Sequence, residues 1–362
     1  MNQMNILSIN PGSTSTKLAV YRDEEKLFGA SLSHSAEEIG KYSRINDQKE
    51  FRTSLVLEFL KDNDFDVADL SAVVGRGGLL APMGSGTYTV SPEMLSFLEQ
   101  TEWEHASNLG AMIADGIARK VGVPAFIVDP VVVDEMIDLA RVTGVPEISR
   151  ISIFHALNQK AAAREAARKL DKPYTKCNLI VAHMGGGVSI GAHLQGRVVD
   201  VNNALNGDGP FSPERAGSVP TWSLIEWVLS GDLTRDELKK RVTGRGGIVA
   251  HLQTNDMREV EKRVDNGDKK AEFILRAMAY GVAKQIGAMA AVMAGKVDAI
   301  VMTGGIAYDK RFVKWICERT DFLAPCIIMP GEDEMRSLAL GGLRVLRGDE
   351  EAKTWSESAE SK

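Results

Sequence analysis

Little in this chain of 362 residues offers a disulfide framework, a metal cage or a membrane anchor. Its three cysteines, Cys177, Cys317 and Cys326, are odd in number and none forms a Cys-x-x-Cys pair. That argues against a disulfide scaffold and a zinc site, and predicts buried thiols in a reducing compartment. The longest apolar-rich stretch, Ile286 to Gly295, falls well short of the ~20 residues that a helical membrane span needs. The N-terminus has no cationic segment leading into an apolar one, so no secretory leader is expected and the reading is cytoplasmic. Basic residues are not in excess: 43 Lys and Arg stand against 49 Asp and Glu, and no basic run is interleaved with aromatics. Nothing electrostatic then favours nucleic acid, and a small-molecule partner is expected. Low-complexity sequence is confined to the acidic, Ser-rich last dozen residues, the one stretch expected to be disordered. The common nucleotide and metalloprotease signatures are absent as well: there is no G-x-x-x-x-G-K-[ST], no complete G-x-G-x-x-G, no H-E-x-x-H and no protein-kinase H-R-D set.

What the chain does contain is Asn10-Pro-Gly-Ser-Thr-Ser-Thr-Lys17, placed between the apolar strands Ile6 to Ile9 and Leu18 to Tyr21. Gly12 lets backbone N–H groups approach an anion, Ser13, Thr14, Ser15 and Thr16 add hydroxyls, and Lys17 adds charge. The stretch is either a phosphate-binding turn or an ordinary polar hairpin.

The pattern of Asn5-Ile-Leu-Ser-Ile-Asn-Pro-Gly12 returns in Asn178-Leu-Ile-Val-Ala-His-Met-Gly185, and each copy then turns into another strand. Two such units about half a chain apart indicate a duplicated domain with Gly-rich turns facing one cleft. Further strands at Ala72 to Val74, Ala125 to Val128 and Ala299 to Met302 alternate with helical stretches at 106–120, 154–170, 222–230 and 271–294, which predicts α/β layers. Three of these strands end in Gly75-Arg-Gly-Gly78, Asp129-Pro130 and Thr303-Gly-Gly305, where α/β folds bind ligands. The length predicts two domains. We place them at 1–150, joined by a C-terminal helix over 338–350, and at 151–337. Ala279, Ala283, Gly287, Ala291 and Gly295 form a small-residue stripe, read either as a hinge or subunit contact or as packing inside one domain.

Asn10-x-Gly-Ser-x-Ser-x-Lys17, Gly75-Arg76-Gly-Gly-Leu-Leu, His105-x-x-Asn-Leu109, Phe154-His155, His183-x-Gly-Gly-Gly187, Arg215-Ala-Gly-Ser-x-Pro220, Thr303-Gly-Gly-Ile306 and Glu334 occur in the order found in the acetokinase family, within the superfamily of acetate and sugar kinases, heat-shock ATPases and actin. The resemblance spans nearly the whole chain, and the wording of the first turn, of Gly75 to Leu80 and of Ala182 to Ile190 most resembles the butyrate and branched-chain fatty acid kinases. It implies an α/β chain of two duplicated ribonuclease-H-like domains with a nucleotide cleft, a homo-oligomer, and reversible, direct in-line phosphoryl transfer between ATP and a short carboxylate, giving ADP and an acyl phosphate. The alternatives are an acetate or propionate kinase and a non-catalytic ATP-binding regulator of the same fold.

A carboxylate with a reference pKa of about 4.3 is already ionised at neutral pH, so this reaction needs no general base. It needs cations, because an anion must approach the anionic γ-phosphate. By resemblance Arg76 and Arg215 are those cations, His155 hydrogen-bonds the transferring group, and Asn10, Ser13, Ser15 and Lys17 line it. His183 with Gly185, Gly186 and Gly187 cradles the other phosphates, and Gly304, Gly305 and Ile306 border the nucleoside. Asp129 and Glu334 match the acids associated with Mg²⁺, an ion usually held by one or two carboxylates plus substrate phosphates. His105 is either a substrate-pocket residue or a helix cap. The acyl pocket is assigned to Gly78, which stands where acetate kinases have valine and is expected to leave room for a longer chain, above a floor at Phe154.

Overall fold

The computed structural model describes residues 3–101 and 104–357, and the chain divides into two compact units. The first comprises residues 1–134 and 333–362, the second 135–332. The divisions fall at Asp134/Glu135 and Glu332/Asp333, where the sequence reading set them at 150/151 and 337/338.

In the first unit, β1 (Asn5–Pro11), β2 (Ser15–Arg22) and β3 (Glu25–Ser33) form an antiparallel meander, and β4 (Ala72–Gly75) runs parallel to β1. With β5 (Thr87–Thr89), β6 (Ala125–Val128) and β12 (Lys353–Thr354) the sheet order is β12-β5-β6-β4-β1-β2-β3. Alternate residues of a strand face opposite sides, so a central strand covered on both faces reads as continuously apolar. Leu7, Ile9, Val73 and Ile127 join the core that contains Leu109, Ile113 and Ile117 of the helix Asn108–Val121. Val74 and Val128, on the other face, meet the helix Glu334–Arg347, where Gly341 and Gly342 have no side chain and so allow close approach.

The second unit repeats the order. β7 (Asn178–Met184), β8 (Val188–Leu194) and β9 (Arg197–Val201) form a meander, β10 (Ala299–Gly304) lies parallel to β7, and β11 (Cys326–Pro330) completes β11-β10-β7-β8-β9. Leu179, Val181, Ala299 and Val301 pack against the alanine face of the helix Ala156–Lys169, and Ile180, Ala182, Ile300 and Met302 against the helix Lys269–Val292. The two asparagines that open the sequence repeat have a shared structural task. Asn5 donates through Nδ2 to Asp69 O and accepts from Ser71 N at its carbonyl; Asn178 donates to Lys296 O and accepts from Asp298 N. Each clamps the chain just before the parallel strand that follows.

Three expectations change. The tail is not disordered throughout: Lys353–Thr354 form β12 and Trp355 is buried in the core of the first unit against Phe97, while residues 358–362 lie outside the described residues. Only Cys177 is a buried thiol, with Cys317 and Cys326 half-buried and all three free. The small-residue stripe packs in its first half, where Ala279 and Ala283 are buried, but Gly287 faces open space and Ala291 and Gly295 are exposed. Among the described residues no helix is long and apolar enough to cross a membrane.

Candidate functional site

In the first unit the turn between β1 and β2 is shaped from behind by a residue that sequence reasoning missed. Arg52 occupies the buried stripe of the helix Lys49–Asp62 together with Val56 and Leu60. Its Nη1 donates to Gly12 O at 2.8 Å, Ser15 O at 3.1 Å and Thr16 Oγ1 at 3.1 Å, and its Nη2 to Ser13 O at 3.4 Å. Gln48 Oε1 accepts from Nη2 at 2.7 Å, and among the described residues no partner is a carboxylate. Drawing three carbonyls to one side turns the amide edge of the loop the other way, and a buried cation with no counter-ion adds an attraction for anions. A charged residue at a position of the apolar stripe is the signal that could have found it. Arg52→Gln should leave the carbonyl of Gly12 without its buried donor, at about 1–3 kcal/mol, while Ser15 O keeps its bond from Gly12 N. It should also raise the KM for ATP; an unchanged KM and melting temperature would show the contact to be incidental.

Asn10 and Lys17 are directly opposed in the β1–β2 ladder, so their side chains leave the same face of the sheet. Asn10 is buried and donates through Nδ2 to Glu334 Oε2 at 2.6 Å; Lys17 and Ser13 are exposed and Ser15 is half-buried. Arg76 directly follows β4, its N–H bonded to Ile9 O, and its Nη1 donates to Glu334 Oε1. One carboxylate thus bridges Asn10 and Arg76, at the first turn of a helix where negative charge is favoured.

The loop carrying Arg76 is held by backbone contact. A Cβ on Gly110 would lie 2.2 Å from Arg76 O, and one on Gly75 would lie 2.1 Å from Gly110 O. Leu79 N donates to Asn108 Oδ1 at 2.9 Å. These contacts correct the pocket assignment of Gly78. The space of its missing side chain is filled by Asn108, whose Oδ1 and Cα would lie 2.4 Å and 2.6 Å from an added Cβ. The glycine accommodates the asparagine, so its missing side chain opens no space of its own for a longer acyl chain. Gly78→Val should cost about 1–3 kcal/mol through overpacking and lower turnover with every acid alike. A selective gain for acetate would restore the pocket reading.

His105 accepts at Nδ1 from Ser107 N at 3.2 Å, with Ser107 Oγ 2.8 Å from the same nitrogen, in the turn just before the helix Asn108–Val121. Burial, and then the nearby Arg76 charge, push its pKa down. Asp129 is buried at the end of β6 with φ 39°, an uncommon conformation for a residue with a side chain, and its Oδ1 accepts from Gly86 N at 2.7 Å. Among the described residues no group of three or more His, Cys, Asp or Glu is arranged to hold a metal.

In the second unit the loop Gly185–Gly187 joins β7 to β8. Its Gly185 N donates to Gly187 O at 3.0 Å, and Ser212 Oγ donates to Gly186 O at 2.7 Å. The rings of His155 and His183 lie 4.2 Å apart at 34°. A Cβ on Gly187 would touch His155 Cε1 at 3.5 Å and one on Gly185 would touch His183 Nε2 at 3.5 Å, so the glycines let the loop run close over both imidazoles. His183 Nε2 stands 3.3 Å from Glu332 Oε2, which also accepts from Asn158 Nδ2. Arg215 Nη1 pairs with Glu214 Oε2 at 3.2 Å, and its Nε is buried with no hydrogen-bond partner among the described residues. Glu214 and Glu332 were not singled out from sequence.

Gly304, with φ +88°, crosses the end of β7: a Cβ there would lie 2.3 Å from Met184 O, which no other residue tolerates. Gly304 and Gly331 exchange backbone hydrogen bonds, Gly305 follows, and Ile306 is buried in the next turn. Phe154 is buried immediately before His155. Two cavities, of about 740 Å³ and about 450 Å³, lie along the helix Thr221–Leu229, and neither is lined by a candidate residue.

Two sheets of like strand order, each with a tight turn after its first strand, make this an α/β chain of the kind seen in acetate and sugar kinases. Among solved structures, acetate kinase from Porphyromonas gingivalis matches with a TM-score of 0.78 at 20% identity over 95% of this chain and 100% of that one. A propionate kinase from Francisella tularensis matches with a TM-score of 0.70 at 18% identity over 93% and 98%. The sequence profile of the Acetokinase family matches residues 147–323. Butyrate kinase 2 of Clostridium acetobutylicum is 52% identical over 351 residues, covering 97% of this chain and 99% of that protein. The chain belongs to the acetokinase family.

Proposed function

We propose that the protein is an ATP-dependent carboxylate kinase that phosphorylates butyrate, or a short branched acid of similar size, to the acyl phosphate, reversibly and by direct in-line transfer. The observation that carries this reading is the 52% identity over almost the full length with a protein named butyrate kinase 2. The geometry accords with it. Arg76 and Asn10 together hold the carboxylate of Glu334, a grouping suited to a carboxylate or phosphoryl oxygen. Arg215 supplies the second guanidinium, and its buried Nε leaves a donor for an arriving anion. His155 acts as a hydrogen-bond donor to the transferring group. The turn Gly12–Ser15 with Lys17, and the loop Gly185–Gly187 with His183, offer backbone amides and side-chain donors to phosphates. Gly304, Gly305 and Ile306 border the nucleoside, and His105 holds the helix start that supports the Arg76 loop. The two matched sheets are read as copies of one ribonuclease-H-like domain.

The oxygen-only chemistry of Asp129 and Glu334 fits Mg²⁺, and the positive φ of Asp129 at a strand end marks a buried acid held in a particular place. These two acids would hold the ion, which supplies charge neutralisation at the phosphate oxygens when bound. Glu334 would have to share or release Arg76 to do so.

The test is Mg²⁺-dependent acyl hydroxamate formation from ATP with acetate, propionate, butyrate, isobutyrate and isovalerate. The maximum is expected among the four- and five-carbon acids. A maximum at acetate would make the protein an acetate kinase, and no product with any acid would favour a nucleotide-binding regulator.

A further inference from the structure

Behind His155 the second unit contains a chain of mostly buried polar side chains that make no contact assigned so far to the reaction. His155 Nδ1 lies 2.9 Å from Ser189 Oγ. Gln159 Nε2 lies 2.7 Å from the same Oγ and 3.0 Å from Ser189 O, Gln159 Oε1 lies 2.9 Å from His193 Nε2, and His193 Nδ1 lies 2.8 Å from Tyr174 OH. Ser189, Gln159 and His193 are fully buried. The sequence builds the chain with two periodicities. His155 and Gln159 are four residues apart at the start of the helix Ala156–Lys169, while Ser189, Gly191 and His193 alternate along β8 and share one face. Gly191 is required in the middle, because a Cβ there would lie 2.6 Å from Gln159 Oε1.

The direction of every hydrogen bond in this chain follows from one fixed point. Ser189 O is a carbonyl and can only accept, so the atom of Gln159 facing it is the amide nitrogen, and Gln159 Oε1 is turned toward His193. An amide oxygen only accepts, so His193 Nε2 carries a proton. Burial, with the Lys160 ammonium and the Arg164 guanidinium near Tyr174, pushes His193 far below the ordinary histidine range, so its Nδ1 is bare and accepts from Tyr174 O–H. At the other end Ser189 Oγ accepts from Gln159, and among the described residues the acceptor within reach of its own hydrogen is His155 Nδ1.

We propose that Ser189, Gln159, His193 and Tyr174 are positioning residues that hold His155 as the neutral tautomer bearing its proton on Nε2, the nitrogen on the side of the Gly185–Gly187 loop. The inference deepens the kinase reading and rests on it for its meaning: Nε2–H donates a hydrogen bond to the transferring phosphoryl oxygen and has no lone pair with which to attack phosphorus. It also gives Ser189 and Gln159 a role in the reaction although neither touches a substrate.

Nitrogen NMR of the full-length protein with ¹⁵N-labelled histidine reads the tautomer directly without ligand, the His155 signals being assigned by their loss in His155→Asn. At neutral pH the expected pattern is a protonated Nε2 and a bare Nδ1. A protonated Nδ1 with a bare Nε2, or a doubly protonated ring, would overturn the proposal. In Ser189→Ala the fixed tautomer should give way to exchange between the two forms, and kcat should fall about ten- to a hundredfold with both KM values nearly unchanged. An unchanged spectrum and kcat would count equally against it. Should the unsubstituted protein make no acyl phosphate, the kinase reading fails, while the tautomer pattern still decides whether the relay is set as described.

Discussion

Arg76→Ala should lower kcat with ATP and butyrate by about a thousandfold or more while leaving a folded protein. The size of the effect follows from what the reaction lacks. With no proton to remove from the acceptor, the protein's contribution is fixed positive charge where negative charge accumulates, and removing one such guanidinium costs about 10³–10⁵ in comparable phosphoryl transfers. Stability should respond far less. The side chains of Arg76 and Glu334 remain 27% and 14% exposed, so their pairing is worth about 1 kcal/mol or less, and Asn10 Nδ2 still bonds Glu334. Arg76→Lys should recover little, since an ammonium keeps the charge but loses the fork that holds two oxygens at once. Steady-state kinetics with a thermal melt on the same sample separates the two effects. Near-normal turnover in Arg76→Ala would remove Arg76 from the reaction.

Gly110→Ala should inactivate the protein almost as severely without touching any side chain of the site. The added Cβ would lie 2.2 Å from the carbonyl oxygen and 2.8 Å from the nitrogen of Arg76, and backbone cannot turn aside as a flexible side chain can. Either the start of the helix Asn108–Val121 or the end of β4 must move. A displacement of this kind typically costs about 1–3 kcal/mol, and moving a catalytic guanidinium by about 1 Å costs roughly a hundredfold in rate. Gly116→Ala provides the control. It lies on the same helix with open space at its Cβ, and should be neutral or stabilise by up to ~1 kcal/mol through helix propensity. Equal activity in the two variants would show that the contact between Gly110 and Arg76 does not position the site.

The repeat at Asn5 and Asn178 was legible because it serves the same local purpose twice, clamping the entry to a parallel strand. The strands themselves could be read because β1, β4, β7 and β10 are buried on both faces and therefore mostly apolar, with Ser8 the one polar residue inside the run Ile6 to Ile9 of β1. The fate of Gly78 could not be read. The residue that fills its space, Asn108, lies thirty positions along the chain on a helix, and only packing reveals that the two meet. The partnership of Arg76 with Glu334, 258 residues apart, is hidden for the same reason. Trp355 shows the converse error: an acidic, Ser-rich composition suggested disorder, yet one aromatic residue holds the stretch around Lys353–Trp355 to the core. Arg52 stood in plain view as a charge at a buried helix position, and its task became clear only when its hydrogen bonds to the turn were seen.

Phosphoryl is expected to pass directly from ATP to the carboxylate, with arginine cations and a neutral His155 donor and no phosphorylated protein on the way. The stereochemical course at phosphorus tests it most directly, using ATP made chiral at the γ-position with sulfur and oxygen isotopes and butyrate as acceptor. Inversion of configuration in the acyl thiophosphate is the predicted result. Retention would require two successive transfers, and so would contradict both the direct step and the assignment of His155 as a donor.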